Sequence, residues 1–565
     1  MDYTWIQKEQ PNVSLIEELC KTLNISSPLA SILLQRGIDS YSKAAAYFNP
    51  EIDLLHDPFL MKGMEKAVKR LLEAIKKNEQ ILFYGDYDVD GTTSVALMVG
   101  FLSDFYNNIE YYIPDRYNEG YGISNAGIDW AIEHNIDLIV SLDCGIRAVE
   151  TVTKAKENNI DFIICDHHNP GEVLPPAVAI LDPKQEDCNY PYKELSGCGV
   201  GFKLLQAYCI NNSVPIEELY NYLDLVAISV AADIVPLTGE NRILAYHGLQ
   251  KLNDKPRQGI SALMKVAALK LPIDINTVVF GLAPRINAAG RISHAYGAVT
   301  LLLSKNEDEA NRVAGEIDNN NVIRREYDTD VTSEALEMLE SEPDDINTTV
   351  LFKPHWHKGI IGIVASRCIE VHYRPTIILT ESKGRITGSA RSVKGFDIYN
   401  ALNECSEYLE QFGGHKYAAG LTMQKENLPL FKEKFENTVS ERITADLLVP
   451  KITIDQQISL SEISTNFINV INRMEPFGPE NMTPVFKTTD VFAKGARVLK
   501  DKHLKMNVVD QNTGIVFDAI GFGLSAYYDK ILKNPVVSVA YTIGFNDFRG
   551  KRSVQLYLKD IMFEQ

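Results

Sequence analysis

Cysteine is scarce in this chain and never closely paired: there are eight in 565 residues, with no CxxC. That excludes a disulfide-stapled secreted scaffold and a zinc-finger spacing, and it fits a reducing cytosol. Long apolar runs are missing too. No window approaches ~18 consecutive apolar residues, so no membrane span is expected. The opening MDYTWIQKEQ has neither the basic start nor the apolar core of a secretory leader, and the expected location is cytoplasmic. Positive charge is in deficit, with 56 Lys and Arg against 75 Asp and Glu, a net charge of -19. A nucleic-acid binder that is basic all over is therefore excluded, whereas a local basic groove on an acidic body is not. Heptads, internal repeats and low-complexity tracts are absent as well. What remains is ordinary globular composition, 45% hydrophobic and 23% charged. At ~150 residues per domain the length suits three to four domains.

What is present reads as alternation. Residues 1–60 carry three short helical patterns, LIEELCKTL, PLASILLQRG and SYSKAAAYF. From 61 to 235, apolar runs alternate with amphipathic stretches such as GTTSVALMVGFLSDF and RAVETVTKAKENN. The runs are ILFYG (81–85), IEYYI (109–113), IDLIVSLD (136–143), IDFIICD (160–166) and AVAILD (177–182). This predicts a parallel sheet covered on both faces. Residues 236–345 read as mostly helical, and the polar VIRREYDTDVTSEALEMLES suits an exposed helix joining two lobes. A second α/β segment covers 346–448, with TTVLFKP, RPTIILTES and the glycine-rich FGGHKYAAG. From 449 to 565, short alternating runs such as LKMNVVD, VVSVAYTIGF and SVQLYLKD predict a small β-barrel or sandwich. The expected fold class is α/β, with two lobes, a long connecting helix and a C-terminal β-domain.

The densest acidic stretch is GDYDVDG, which sets Asp86, Asp88 and Asp90 directly after a strand. An EF-hand loop fails because its twelfth position is Leu97 rather than Glu and a strand precedes it. A Walker loop fails because no Lys follows the glycine. The third predicted strand ends at Asp143 in SLDCGI, and the fourth at Asp166, His167 and His168 in ICDHH. Ligands of open α/β sheets bind outside the carboxyl ends of the strands. Five carboxylates and two imidazoles therefore converge on one sheet edge, where their repulsion and desolvation call for a cation. Such a donor set suits Mn²⁺ or Mg²⁺, and the lack of a cysteine cluster speaks against structural zinc. Cys144 and Cys165, among apolar neighbours, are expected to pack. Asp233 in VAADIVPL closes a helical stretch and, taken alone, reads equally as ligand or surface residue. Two cations held a few ångström apart are the usual means of phosphoester hydrolysis, which makes that the leading reaction class.

Basic and glycine-rich candidates are local. Arg116 follows the second strand in PDRYNEGYG, and Arg285, Asn287 and Arg291 sit in PRINAAGR. Ser389 and Arg391 lie in GSARS, and Gly413, Gly414 and His415 form the glycine-rich turn. Arginine forks and exposed glycine amides suit phosphate oxygens, although each arginine by itself reads better as a surface ion pair. His355, Trp356 and His357 in KPHWHKGIIG are expected in a loop that helps position substrate, since no third ligand completes a metal pair.

GDYDVDG, SLDCG, CDHH and AADIVPL, in this order, resemble the four motifs of the DHH phosphoesterase superfamily. LAPRINAAGR, TGSARS and FGGHKYAAG resemble its bacterial single-strand-specific exonuclease branch, and no motif position is substituted. The resemblance implies Asp88, Asp90, Asp143, His167 and Asp233 as ligands of a two-metal Mn²⁺ or Mg²⁺ site, with Asp86 a ligand or an orienting neighbour. It implies His168 at the scissile phosphate and Asp166 as a supporting carboxylate, the DHH triplet being the catalytic motif. It implies Arg116, Ser389 and Arg391 at the 5′ end of the substrate and Arg285 and Arg291 on its backbone, with Asn287 and the Gly413–His415 turn as further contacts. It also implies a DHH-associated second lobe and an OB-like nucleic-acid-binding barrel, in which Tyr541, Phe545 and Phe548 are stacking candidates but read better as core. The implied activity is 5′→3′ degradation of single-stranded DNA to mononucleotides in repair and recombination, beside a helicase and a single-strand-binding protein. Two other readings stay open. One is an enzyme of short oligonucleotides or cyclic dinucleotides, which are usually shorter chains without the barrel. The other is a non-catalytic DNA-binding scaffold, against which the intact acids speak.

Overall fold

The computed structural model describes residues 3–343, 346–548 and 550–563. The chain forms two compact units, one of residues 38–322 and 472–483, the other of the residues before 38 together with 323–471 and 484–565.

The first unit is built on a five-stranded parallel sheet of Ile81–Gly85, Ile109–Tyr112, Leu138–Leu142, Asp161–Cys165 and Ala179–Leu181. The continuous apolar runs follow from burial on both faces. Ile81, Phe83, Val140 and Ile163 point into one core, and Leu82, Tyr84, Ile139 and Ile164 into the other, as the period of two along a strand requires. The order across the sheet is second, first, third, fourth, fifth. The chain thus leaves Ile81–Gly85 toward one edge and later returns on its other side. Helix Val89–Leu102 is buried along its whole length, which explains why it lacks a polar stripe. It packs against helices Gly197–Asn212 and Leu223–Ala232. The returning segment 472–483 is fastened by Arg242, whose buried guanidinium donates to the carbonyls of Tyr47, Met474, Glu475 and Pro476.

In the second unit a five-stranded mixed sheet runs in the order Gln411–His415, Ala418–Met423, Arg385–Arg391, Thr376–Ser382, Thr349–Phe352. Its one parallel pair, Thr349–Phe352 with Thr376–Ser382, is bridged by helix Ile361–Val371. Phe486–Leu499, His503–Val509, Val516–Gly521, Lys551–Phe563 and Val536–Phe548 close into a five-stranded barrel through pairing of the first with the last. Tyr541 belongs to the barrel interior, fully buried with its hydroxyl 2.8 Å from Thr488 Oγ1. Phe545 is half-buried beneath the Arg552 guanidinium, and the side chain of Phe548 lies outside the described residues. Strand Thr4–Gln7, not foreseen from sequence, pairs in parallel with Lys451–Ile454. The 33-residue helix Glu307–Leu339 passes from the first unit into the second. The architecture is thus the two α/β lobes, long helix and β-barrel expected from the sequence. Among the described residues no helix is long and apolar enough to cross a membrane.

Candidate metal centre

Four strands of the first unit stop immediately before an acid: Asp86 follows Gly85, Asp143 follows Leu142, Asp166 follows Cys165 and Asp182 follows Leu181. Because connections diverge on either side of Ile81–Gly85, a crevice opens beyond its carboxyl end. Asp86 and Asp143 border that crevice from adjacent strands.

The remaining donors come from helix ends. Asp88 caps helix Val89–Leu102 by accepting from the Gly91 amide at 3.1 Å. Asp90, in the first turn, reaches the start of helix Gly197–Asn212. Its Oδ2 accepts from the Gly197 amide at 2.7 Å, and its Oδ1 from the Cys198 amide at 2.8 Å and from Ser229 Oγ at 2.7 Å. The free amides and positive end of that helix thus fix the carboxylate. Asp233 closes helix Leu223–Ala232. His167, almost fully buried, gathers these groups: its Nε2 lies 3.1 Å from Asp143 Oδ1, 3.5 Å from Asp233 Oδ2 and 3.8 Å from Asp90 Oδ2. Neither ring nitrogen of His167 forms a hydrogen bond, nor do the buried Asp143 Oδ1 and Asp86 Oδ2. Unpartnered buried donors and acceptors are costly, and a divalent cation held by His167 Nε2 and Asp143 Oδ1, which lie 3.1 Å apart, satisfies those two. An oxygen-rich set with an imidazole fits Mn²⁺ or Mg²⁺.

Electrostatics agree with that fit. Burial, reinforced by neighbouring carboxylates, holds Asp86, Asp143 and Asp233 well above the ordinary carboxylate range, and raises Asp88. Burial lowers His167, leaving a neutral ring suited to ligation. The Asp166–His168 pair behaves differently. Asp166 Oδ1 accepts from His168 Nδ1 at 2.7 Å and from the His167 amide at 2.7 Å, and its Oδ2 accepts from the Ile146 amide at 2.9 Å. Against the opposing effect of burial, its bond with His168 keeps Asp166 ionised well below the usual range. Burial likewise opposes the charge on His168, yet the bond to Asp166 pushes His168 up to about 9. His168 Nε2 stands 3.0 Å from Tyr121 Oη, which also donates to the Asp143 carbonyl at 3.2 Å.

The other sequence candidates divide by position. The Arg116 guanidinium lies 4.7 Å from the centre of the Tyr87 ring, and its charge bears on Asp86 and Asp88. Arg291 lies in the last turn of helix Ala283–Ile292, where Tyr117 Oη donates to its carbonyl. Asn287 is half-buried in the same helix. Arg285 is turned inward: it is buried, with its Nε 2.8 Å from Asp318 Oδ1 and its Nη1 2.7 Å from the Gly281 carbonyl. In the second unit, register sets Ser389, Gly420 and Gly413 in one row across three strands and Arg391, Ala418 and His415 in another. Arg391 Nη1 donates to Ser389 Oγ at 3.0 Å. Helix Ile361–Val371 starts against this pair, since a Cβ on Gly362 would come within 2.9 Å of both side chains. Gly414 lies between the two rows. The His355–His357 cluster is a turn pinned to the long helix: Glu334 accepts from Trp356 Nε1 at 2.8 Å and contacts His355 Nε2 at 3.0 Å, and Tyr327 stacks on His357.

Similarity to known proteins enters at this geometry. Residues 80–230 match the DHH family N-terminal domain, 345–441 the DHHA1 domain and 454–560 the RecJ OB domain. The single-stranded-DNA-specific exonuclease RecJ of Bacillus subtilis (strain 168) is 36% identical over 557 residues, spanning 98% of this chain and 70% of that protein. The chain belongs to the RecJ family. Crystal structures of RecJ from Thermus thermophilus in complex with Mn²⁺ and with Mg²⁺ superpose with TM-scores of 0.86 and 0.81, at 26% and 25% identity. Each covers 100% of this chain, which spans 80% and 79% of theirs. Several parts of this RecJ-family site were not foreseen from sequence. Tyr121 against His168, and Ser229 with the Gly197 and Cys198 amides around Asp90, emerge only from the fold. One signal was available, because Ser196 before GCGVG reads as a cap on a glycine-rich helix start.

Proposed function

We propose that the protein is a metal-dependent 5′→3′ exonuclease that degrades single-stranded DNA to mononucleotides. The observation that carries this reading is His167, buried with both ring nitrogens unpartnered among three carboxylates. Membership in a family whose Bacillus subtilis relative bears the name single-stranded-DNA-specific exonuclease supplies the substrate.

Asp88, Asp90, Asp143, His167 and Asp233 would hold the cations, with Asp86 beside them. When bound, the ions activate water and neutralise charge on the phosphodiester. The chain's own residues then orient the substrate. Asp166 keeps a proton on His168 Nδ1, so the ring presents positive charge to the non-bridging oxygens. Tyr121 restrains that ring from its other nitrogen. Ser389 and Arg391, beside the start of helix Ile361–Val371, form an anion cradle suited to a 5′ phosphate. Arg116 is likewise assigned to the 5′ end and Arg291 to the phosphate backbone, and the barrel binds single-stranded DNA. Residues 61–235 thus act as the phosphoesterase domain, 346–448 as the DHH-associated domain and 449–565 as the nucleic-acid-binding domain. The site of action is the cytoplasm, in repair and recombination, beside a helicase that exposes single strands and a single-strand-binding protein that coats them.

The test follows products from single-stranded DNA labelled at either end, with Mn²⁺, beside Asp143→Ala. Immediate release of a labelled mononucleotide from the 5′ end, lost in the variant, is the expected result. Early release from the 3′ end would overturn the polarity, and tight binding without cleavage would overturn the enzymatic reading.

A further inference from the structure

Asp233 is followed by a residue that breaks two local rules at once. Ile234 has φ of 59° and is 67% exposed. It occupies the position just past the last residues of helix Leu223–Ala232, where a left-handed residue commonly ends a helix and glycine or asparagine commonly fills the role. Elsewhere this chain follows that preference: Asn24, Asn78, Asn135 and Asn159 take the left-handed conformation at the ends of four other helices. Among the described residues, Ile234 is the sole β-branched residue with positive φ. Branching at Cβ makes this conformation costly, and the exposed side chain recovers nothing by burial in the core.

Strain of this kind persists where function requires it. Asp233 Oδ2 lies 3.5 Å from His167 Nε2, so the neighbouring residue borders the metal donors. Consecutive Cα atoms are about 3.8 Å apart, so a phosphodiester held at these donors has the exposed Ile234 side chain in its immediate neighbourhood. We propose that Ile234 is a substrate contact whose branched side chain packs against the nucleoside at the scissile phosphate. An apolar group makes no use of phosphate oxygens, but it complements a sugar or base face. A χ1 stiffened by branching keeps that wall in place without further support. The inference rests on the exonuclease reading.

The test compares Ile234→Asn, Ile234→Gly and Ile234→Val in the full chain by melting temperature, Mn²⁺ titration, and KM and kcat on single-stranded DNA. Asn and Gly suit the backbone, so their melting temperatures hold or rise, and Mn²⁺ affinity stays within about twofold. KM for DNA rises about tenfold in both, the scale of losing one buried aliphatic contact, while Val stays near wild type. Unchanged KM in Asn and Gly overturns the proposal. So does a KM rise matched by an equal loss of Mn²⁺ affinity, which makes Ile234 a support for Asp233 instead. If wild type itself fails to degrade single-stranded DNA, the exonuclease reading falls and this inference with it. An active wild type with indifferent variants sinks the inference alone.

Discussion

Replacing Gly197 with alanine sets two well-understood effects against each other. Gly197 opens helix Gly197–Asn212, and alanine is the better helix former by about 1 kcal/mol in helix interiors. On propensity alone, Gly197→Ala is neutral or stabilising. The tertiary structure dictates the opposite sign. A Cβ built on Gly197 lies 2.6 Å from Asp143 Cβ, 2.8 Å from its Cα and 2.9 Å from its Oδ1. Those partners include backbone, which cannot swing aside as a side-chain tip does. Forcing an extra methyl into such a site costs about 1–3 kcal/mol, so the net change is destabilising. For a unit of this size it amounts to a drop of roughly 2–6 °C in melting temperature. The damage is also directed. The Gly197 amide holds Asp90 Oδ2 at 2.7 Å, and the methyl pushes on Asp143, so both carboxylates move relative to His167. Mn²⁺ affinity is expected to fall about 10- to 100-fold, the usual scale when groups that orient metal ligands are disturbed. Scanning calorimetry and Mn²⁺ titration of the apo protein read both numbers. A higher melting temperature with undiminished Mn²⁺ affinity would refute the reasoning, because it would mean that the helix start does not press on Asp143.

Asp166→Asn removes the charge that holds the His168 proton. It should lower kcat about 10- to 100-fold and shift the alkaline limb of the pH–rate profile toward acid, with Mn²⁺ affinity falling far less than in Asp143→Ala. An unmoved pH limb would count against this role for the pair. In the metal-free protein, raised Asp86, Asp143 and Asp233 retain protons that the unfolded chain has released. Apo stability should therefore fall as pH climbs from about 4 through their folded-state values. Since a cation displaces those protons, the gain in melting temperature on adding Mn²⁺ should be larger at pH 8 than at pH 5.5 by calorimetry; a smaller gain would contradict the donor assignment. Arg285→Met should lose stability with KM preserved, because Arg285 is committed to Asp318 and the Gly281 carbonyl. Arg391→Met should do the reverse, raising KM for 5′-phosphorylated strands while the melting temperature holds.

The five parallel strands were legible because burial on both faces turns each into an unbroken apolar run, as in ILFYG and LIVSL. Asp86, Asp143 and Asp166 were legible because each stands directly behind such a run. The strand order was not, since which strand lies beside Ile81–Gly85 depends on pairings made across dozens of residues. The pairing of Thr4–Gln7 with Lys451–Ile454 escaped for the same reason. Arg285 and Arg291 look alike in PRINAAGR, yet they lie in one helix with Arg285 turned into an ion pair in the interior. Burial of one face of a helix is decided by what packs on it, and two arginines in one motif carry no mark of which is taken.

From residue types and spacing alone, this protein is committed to a carboxylate-and-imidazole site at the carboxyl edge of a parallel sheet, and so to divalent-cation phosphoester chemistry. The tertiary structure alone decides the state of each donor. Asp90 is fixed in place by amides more than a hundred residues away, while His167 and Asp143 Oδ1, a few ångström off, are left without hydrogen bonds. Lone pairs are filled or left open by groups brought near in space, and adjacency in space is the property that a linear order of residues does not carry.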